Sequence, residues 1–222
     1  DFTRKVLGEF KDGADRFFKF RYIMYEWIRI TLERSRRSRG FCNGIIYWML
    51  NDCWPSAGSW SLIDYYNKPK SGYYAFKRFA DDVSLSFDMV DDDFFIYLCN
   101  DTDKETTKTI KLLLIDIKSG DVKKTDEVQI TASAQESFRK AINQMKPDDT
   151  EVVFAYSEDS YTFYKNGDLK IGKCDAPKVM EETADSITLK ADIYTHAVCL
   201  DGGIFEENYF SMQKGEIRTV RI

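Results

Sequence analysis

The chain has 222 residues and a formal net charge of −5, with 43% hydrophobic and 31% charged residues. That is a globular mix, long enough for one large domain or two to three small ones, each burying its own core. The acidic balance argues against a general nucleic-acid partner, and no apolar run is long enough to span a bilayer, so no membrane partner is expected.

The chain opens in charged, helical-looking sequence, which leads us to expect further protein upstream of residue 1. A helix is expected from about Ala14 to Arg37, with Asp12 as N-cap and Asp15 as a favourable first-turn acid. Phe17, Phe20, Met24, Trp27, Ile28 and Thr31 recur at helical spacing and mark one apolar face. The basic run Arg34 to Arg39 falls where this helix ends before Gly40, and cations there offset the helix dipole.

Gly44–Leu50 is apolar at nearly every position, without alternation, the pattern of a strand buried on both faces in a parallel sheet. A loop follows, then a short helix from about Pro69 to Ala80, with Pro69 suited to the first helical position.

From Val83 onward the pattern changes to short strands separated by polar turns. The strands are expected at 83–90, 94–99, 109–117, 122–130, 152–156, 161–164, 186–192, 195–200, 208–212 and 217–222. Ser119-Gly120-Asp121 reads as a tight hairpin. This spacing implies immunoglobulin-like β-sandwich structure. The expected organisation is α/β over 1–82, one sandwich over 83–173 and a second, smaller one over 174–222.

Cys42, Cys53, Cys99, Cys174 and Cys199 are odd in number and contain no CxxC pair, which argues against a disulfide scaffold and a zinc site. They read as reduced, buried thiols, which favours a cytoplasmic setting. His196 is the single histidine, set between Thr195 and Ala197 in an expected strand, and reads as a packed residue.

The stretch with chemistry in it is Tyr47-Trp48-Met49-Leu50-Asn51-Asp52-Cys53-Trp54-Pro55, followed by Ser59-Trp60 and Ile63-Asp64-Tyr65-Tyr66. Indole faces stack on the apolar C–H faces of a pyranose, and amide or carboxylate groups bind its hydroxyls. A tryptophan-rich loop that packs on a neighbouring domain has the same composition, and local chemistry does not separate the two.

The segment Gly44 to Ser56, with Ser59–Tyr66, Lys68-Pro69-Lys70 and Tyr73-Tyr74-Ala75, resembles the end of the catalytic barrel in glycoside hydrolase family 2. It is most similar to the β-mannosidase and exo-β-glucosaminidase branch. Glu207 to Glu216 resembles the family's closing pattern of Asn-aromatic-Phe and a Gly-Glu before the last strand, with Lys214 where a proline is often found.

The resemblance implies a terminal α/β remnant of a (β/α)8 barrel followed by all-β sandwich modules. It implies a retaining exo-β-glycosidase as the parent enzyme, acting on terminal β-D-mannose, with its two glutamates upstream of residue 1 and no catalytic residue in this chain. Trp48 matches the tryptophan at the floor of the sugar subsite, and Asn51, Asp52 and Trp54 match the adjoining loop. No metal or organic cofactor is implied, and the partner is a β-linked oligosaccharide or glycoside.

Other readings are a β-galactosidase, β-glucuronidase or exo-β-glucosaminidase of the same family, or a non-catalytic sandwich that binds carbohydrate or docks a neighbour. An apolar Gly44–Leu50 strand without flanking strands must pack on the first sandwich, refold, or sit in an intermolecular contact. With four tryptophans near it, self-association through residues 1–80 is expected.

Overall fold

A computed structural model describes residues 2–56, 58–158, 160–169 and 176–222. Cys174 and the expected boundary at 173/174 lie outside the described residues. Three helices come first, α1 (Phe2–Leu7), α2 (Gly13–Arg37) and α3 (Ser71–Phe79).

The Asp12 side chain accepts from the Asp15 amide at 2.8 Å, and the Asp15 carboxylate accepts from the Lys11 amide at 2.9 Å, so α2 starts on a reciprocal cap. At the other end the basic run does more than offset the dipole. Arg36 donates to the Phe79 carbonyl at 2.9 Å and pairs with Asp101 at 3.1 Å, while Arg37 pairs with Asp88 at 3.3 Å. The run clamps the helix end onto the first sandwich.

The packed face of α2 shares only part of the expected apolar stripe: Ile28 is buried and Met24 packs against the core. Phe17 and Trp27 are 62% and 68% exposed. The buried face carries Tyr22, Tyr25, Ile28 and Leu32 together with Glu26, Arg29 and Glu33. These charges can be buried because they are paired. Arg29 reaches Glu26 at 2.7 Å and Glu33 at 3.1 Å, and Thr162 donates to Glu33 at 2.7 Å. The Arg29 guanidinium also lies 4.3 Å from the Phe163 ring centroid. Burial opposes the charge on Arg29, and the two carboxylates outweigh it, so its pKa is raised.

Gly44–Leu50 is not a strand and is not buried; Ile46 is 97% exposed. A strand needs a ladder partner, and no strand among the described residues lies beside this segment. Its far end is tied instead by short bonds, Ile63 to the Leu50 carbonyl at 2.9 Å and Asp52 to the Ile63 carbonyl at 3.0 Å. Pro69 precedes α3 rather than opening it, because Lys70 takes the N-cap position.

Seven strands then form a sandwich: β1 (Val83–Val90), β2 (Asp93–Asn100), β3 (Thr106–Asp116), β4 (Val122–Ala132), β5 (Ser137–Ala141), β6 (Glu151–Tyr156) and β7 (Tyr161–Lys165). One antiparallel sheet has the order β1-β2-β5 and the other β4-β3-β6-β7, an immunoglobulin-like arrangement. Alternate residues fill the space between them, with Phe94, Ile96 and Leu98 from β2 facing Ile110, Leu112 and Leu114 from β3. Each such side chain contributes about 1.5–3 kcal/mol on burial.

The second sheet is buried on its other face too, where Leu113, Ile115, Val152 and Phe154 meet Phe163 and Tyr194. Asp91 and Asp92, both at positive φ, make the two-residue β1–β2 turn. Gly120 sits at φ 72° in the expected β3–β4 hairpin, and a Cβ there would come 2.6 Å from the Tyr194 amide.

The last strands are β8 (Lys178–Glu182), β9 (Ser186–Lys190), β10 (Thr195–Val198), β11 (Phe210–Met212) and β12 (Ile217–Arg221). They form a β12-β9-β8 sheet and a β10-β11 pair around Leu189, Val198, Phe210, Met212 and Val220. The Asn-aromatic-Phe step has a physical basis. Asn208 bonds both backbone groups of Leu200, at 2.9 and 2.8 Å, and so stands in for a rung of the ladder.

His196 is packed, as expected. Its Nε2 lies 2.5 Å from the Tyr22 hydroxyl, and its Nδ1 lies 2.7 Å from Tyr194 and 3.2 Å from Ser211. Burial, with Arg29 and Lys165 nearby, pushes its pKa down to about 3. The expectation of buried thiols holds for Cys99, whereas Cys42 and Cys199 are half-buried and Cys53 is exposed. Cys53 faces solvent because it lies in the loop after residue 50, where no sheet covers it. No helix among the described residues is long and apolar enough to cross a membrane.

Candidate functional site

The loop from Asn51 to Ser61 is closed at its base by backbone pairing of residues 49–52 with 62–63, and the Tyr47 hydroxyl donates to the Trp60 carbonyl. The Trp48–Met49 peptide is cis. Tyr47 packs edge-on against Phe76 of α3 at 5.1 Å, which turns the neighbouring Trp48 outward.

Three of the four expected site residues face solvent. Trp48 is 76% exposed, Trp54 is 66% exposed, and Asn51 is exposed, with its amide nitrogen 3.3 Å from the Asp52 carbonyl. Asp52 differs. Its carboxylate is buried and engaged on both oxygens: Oδ1 accepts from Ser59 at 2.5 Å and Ser61 at 2.8 Å, and Oδ2 accepts from Lys70 at 2.6 Å. The Lys70 ammonium, followed by the Ser59 hydroxyl, holds the Asp52 pKa down at about 2. Asp52 is thus a fixed anion that braces the loop.

Asp52 also lines a cavity of about 200 Å³ with Pro55, Ser56, Asp64, Tyr65 and Tyr66. Asp64, the other carboxylate there, accepts from the amides of Tyr66 and Lys68, both at 2.8 Å, and caps its own turn. Asp52 is spent on both oxygens in bracing the loop, and Asp64 Oδ1 is spent on its own turn.

On the other side of the segment, Trp27, Ile46, Trp48 and Trp60 border an apolar groove of about 430 Å³. Trp54 does not border this groove. Among the described residues, no three metal-ligating side chains cluster as they would around an ion.

Ser59 and Lys70 lie in the stretches that resemble the family, but nothing in the sequence marks them for a role. Their partner Asp52 lies 7 and 18 residues away across a segment that is neither helix nor strand, so no period brings them together.

A family profile described as "Heme-binding protein Shr-like, Hb-interacting domain" matches residues 115–201. The match covers less than half of the chain and starts inside β3 and ends past β10. A protein named Beta-mannosidase B from Thermothelomyces thermophilus is 36% identical over 83 residues, 37% of this chain and 8% of that protein. One of the same name from Aspergillus niger is 46% identical over 44 residues, 20% of this chain and 5% of that protein.

The solved β-D-mannosidase from Dictyoglomus thermophilum superposes with a TM-score of 0.81 at 20% identity, over 99% of this chain and 29% of that one. An exo-chitosanase from Amycolatopsis orientalis gives 0.76 at 18% identity, over 98% of this chain and 32% of that one. At those identities the structures speak for the fold. The chain spans under a third of the solved β-mannosidase and a smaller share of the curated relatives.

Proposed function

We propose that this chain, a β-mannosidase-like counterpart of the C-terminal part of family 2 glycoside hydrolases, supplies one wall of an exo-β-glycosidase site. In this reading residues 1–82 are the closing part of a (β/α)8 barrel, 83–173 and 174–222 are two sandwich modules, and the catalytic glutamates belong to barrel sequence outside this chain. The substrate is a terminal non-reducing β-D-mannoside. Trp48 stacks on the sugar, Asn51 and Trp54 flank it, and Asp52 forms the wall behind them.

The observation that carries the reading is the exposed Trp48-Asn51-Trp54 edge on a loop braced from within by a buried ionised Asp52. Exposed indoles beside a fixed polar rim suit a pyranose. The groove of Trp27, Ile46, Trp48 and Trp60 is the surface through which residues 1–80 would meet the rest of a barrel or, failing that, a second copy.

The test joins two assays. The 222-residue chain is expected to turn over no aryl β-glycoside, since in this reading the two catalytic glutamates lie outside it. In an enzyme that carries this segment on its barrel, Trp48→Ala is expected to cost about 1–3 kcal/mol in kcat/KM on an aryl β-mannoside while the melting point holds. Turnover by the isolated chain that Asp52→Ala abolishes would reverse the assignment of roles, and so would a Trp48→Ala enzyme that unfolds but keeps normal kinetics in its folded fraction.

A further inference from the structure

Residues 53–60 have few anchors. Among the described residues, their hydrogen bonds to the rest of the chain come from the Ser59 hydroxyl and the Trp60 carbonyl. Ser56 and Gly58 bond each other, at 3.0 and 3.3 Å.

Lys70 stands opposite as the N-cap residue of α3, and its amide donates to the Leu62 carbonyl at 2.8 Å. Its ammonium spends all three donors inside the loop, on Asp52 Oδ2 at 2.6 Å, Ser59 Oγ at 2.8 Å and Ser61 Oγ at 2.7 Å. One residue therefore joins the end of the Trp48 segment, the far side of the loop and the start of a helix.

We propose that Lys70 is a positioning residue: it fixes the 51–61 loop through Asp52, Ser59 and Ser61, and so sets where Asn51 and Trp54 stand, without touching substrate itself. The claim rests on the sugar-wall reading for its purpose, and on geometry alone for its mechanism.

The chemistry requires a lysine. Three acceptors converge on one nitrogen, a tetrahedral arrangement that a compact ammonium satisfies. The planar fork of an arginine spreads its donors and cannot meet all three at one point. A methionine keeps the apolar stem but leaves the buried Asp52 carboxylate without its cation, which favours protonation of Asp52.

The experiment uses the 222-residue chain with its four tryptophans labelled at the indole nitrogen, comparing wild type with Lys70→Met and Lys70→Arg. In Lys70→Met the indole N–H signals of Trp54 and Trp60 are expected to shift or broaden while that of Trp27 stays in place. Chymotryptic cleavage within 53–60 is expected to speed up about tenfold, since the loop opens locally without global unfolding. The Asp52 carboxyl, followed by carbon NMR, is expected to titrate in the ordinary carboxylate range.

Lys70→Arg is expected to restore none of these in full. If Lys70→Met fails to fold, Ser59→Ala removes one acceptor and is expected to raise cleavage about threefold. Wild-type indole signals and cleavage in Lys70→Met, or full rescue by arginine, would overturn the proposal. No readout here involves sugar, so a negative result removes the positioning role and leaves the sugar reading to the kinetics of Trp48→Ala.

Discussion

His196 shows how an isolated titratable residue becomes structural. Its two ring nitrogens sit between the hydroxyls of Tyr22 on one side and of Tyr194 and Ser211 on the other, which a neutral imidazole satisfies with one donor and one acceptor. Burial, then Arg29 and Lys165, lowers its pKa from the ordinary 6.5 to about 3. The unfolded chain therefore binds a proton that the folded chain refuses. This contribution to stability is fully present above about pH 6.5 and declines as pH falls towards 3. Denaturant melts across that window are expected to lose stability with falling pH in the wild type and to do so less steeply in His196→Gln; parallel slopes would show that His196 charges freely. The packed role of His196 was legible from the sequence, because a lone histidine without metal-ligand spacing in an apolar strand has few other uses. The bracing role of Asp52 was not legible, since it depends on Ser59, Ser61 and Lys70 meeting only after the loop closes.

Among the elements, α2 is where periodicity misled. Two stripes of this helix carry aromatic rings, and an apolar count selects the one with Phe17, Phe20, Met24, Trp27, Ile28 and Thr31, of which Ile28 alone is buried. The other stripe holds Tyr22, Tyr25, Glu26, Arg29 and Glu33, which look like a solvated face until their partners are known. Those partners come from β7, far along the chain, where Thr162 bonds Glu33 and the Phe163 carbonyl lies 3.3 Å from Arg29. Arg29→Met is expected to destabilise the fold by about 3–5 kcal/mol, because it strands two buried carboxylates, and chemical denaturation would measure this. A triple change of Glu26, Arg29 and Glu33 to apolar residues is expected to recover most of the loss. A full loss in the triple variant would mean that the charges are needed in themselves. Most of the sandwich strands, by contrast, were readable from alternation and turn chemistry. The exceptions are β5 and β8, whose residues are mainly exposed and so carry no apolar period. The Gly44–Leu50 strand failed for a different reason: an all-apolar run states what a segment would bury, and the ladder that would bury it needs neighbours.

At the scale of the whole molecule, one face stands apart. Trp27, Ile46, Trp48 and Trp60 are all largely exposed and border a single groove, a concentration of apolar surface that soluble proteins cover. The 222-residue chain is expected to self-associate through this face at tens of micromolar, about the range of weak interfaces, while a chain beginning at Val83 stays monomeric. Sedimentation velocity on the two would check this, and a monomeric full chain would sink the idea. The β8 strand bears on which way such association goes. Among the described residues it lies at the edge of its sheet, where backbone groups could template another strand. Lys178, Glu181 and Glu182 line that strand, and a second copy aligned there would strip these charges of water. Charges on an open edge guard against strand addition, which leaves the tryptophan face as the surface through which this chain is expected to assemble.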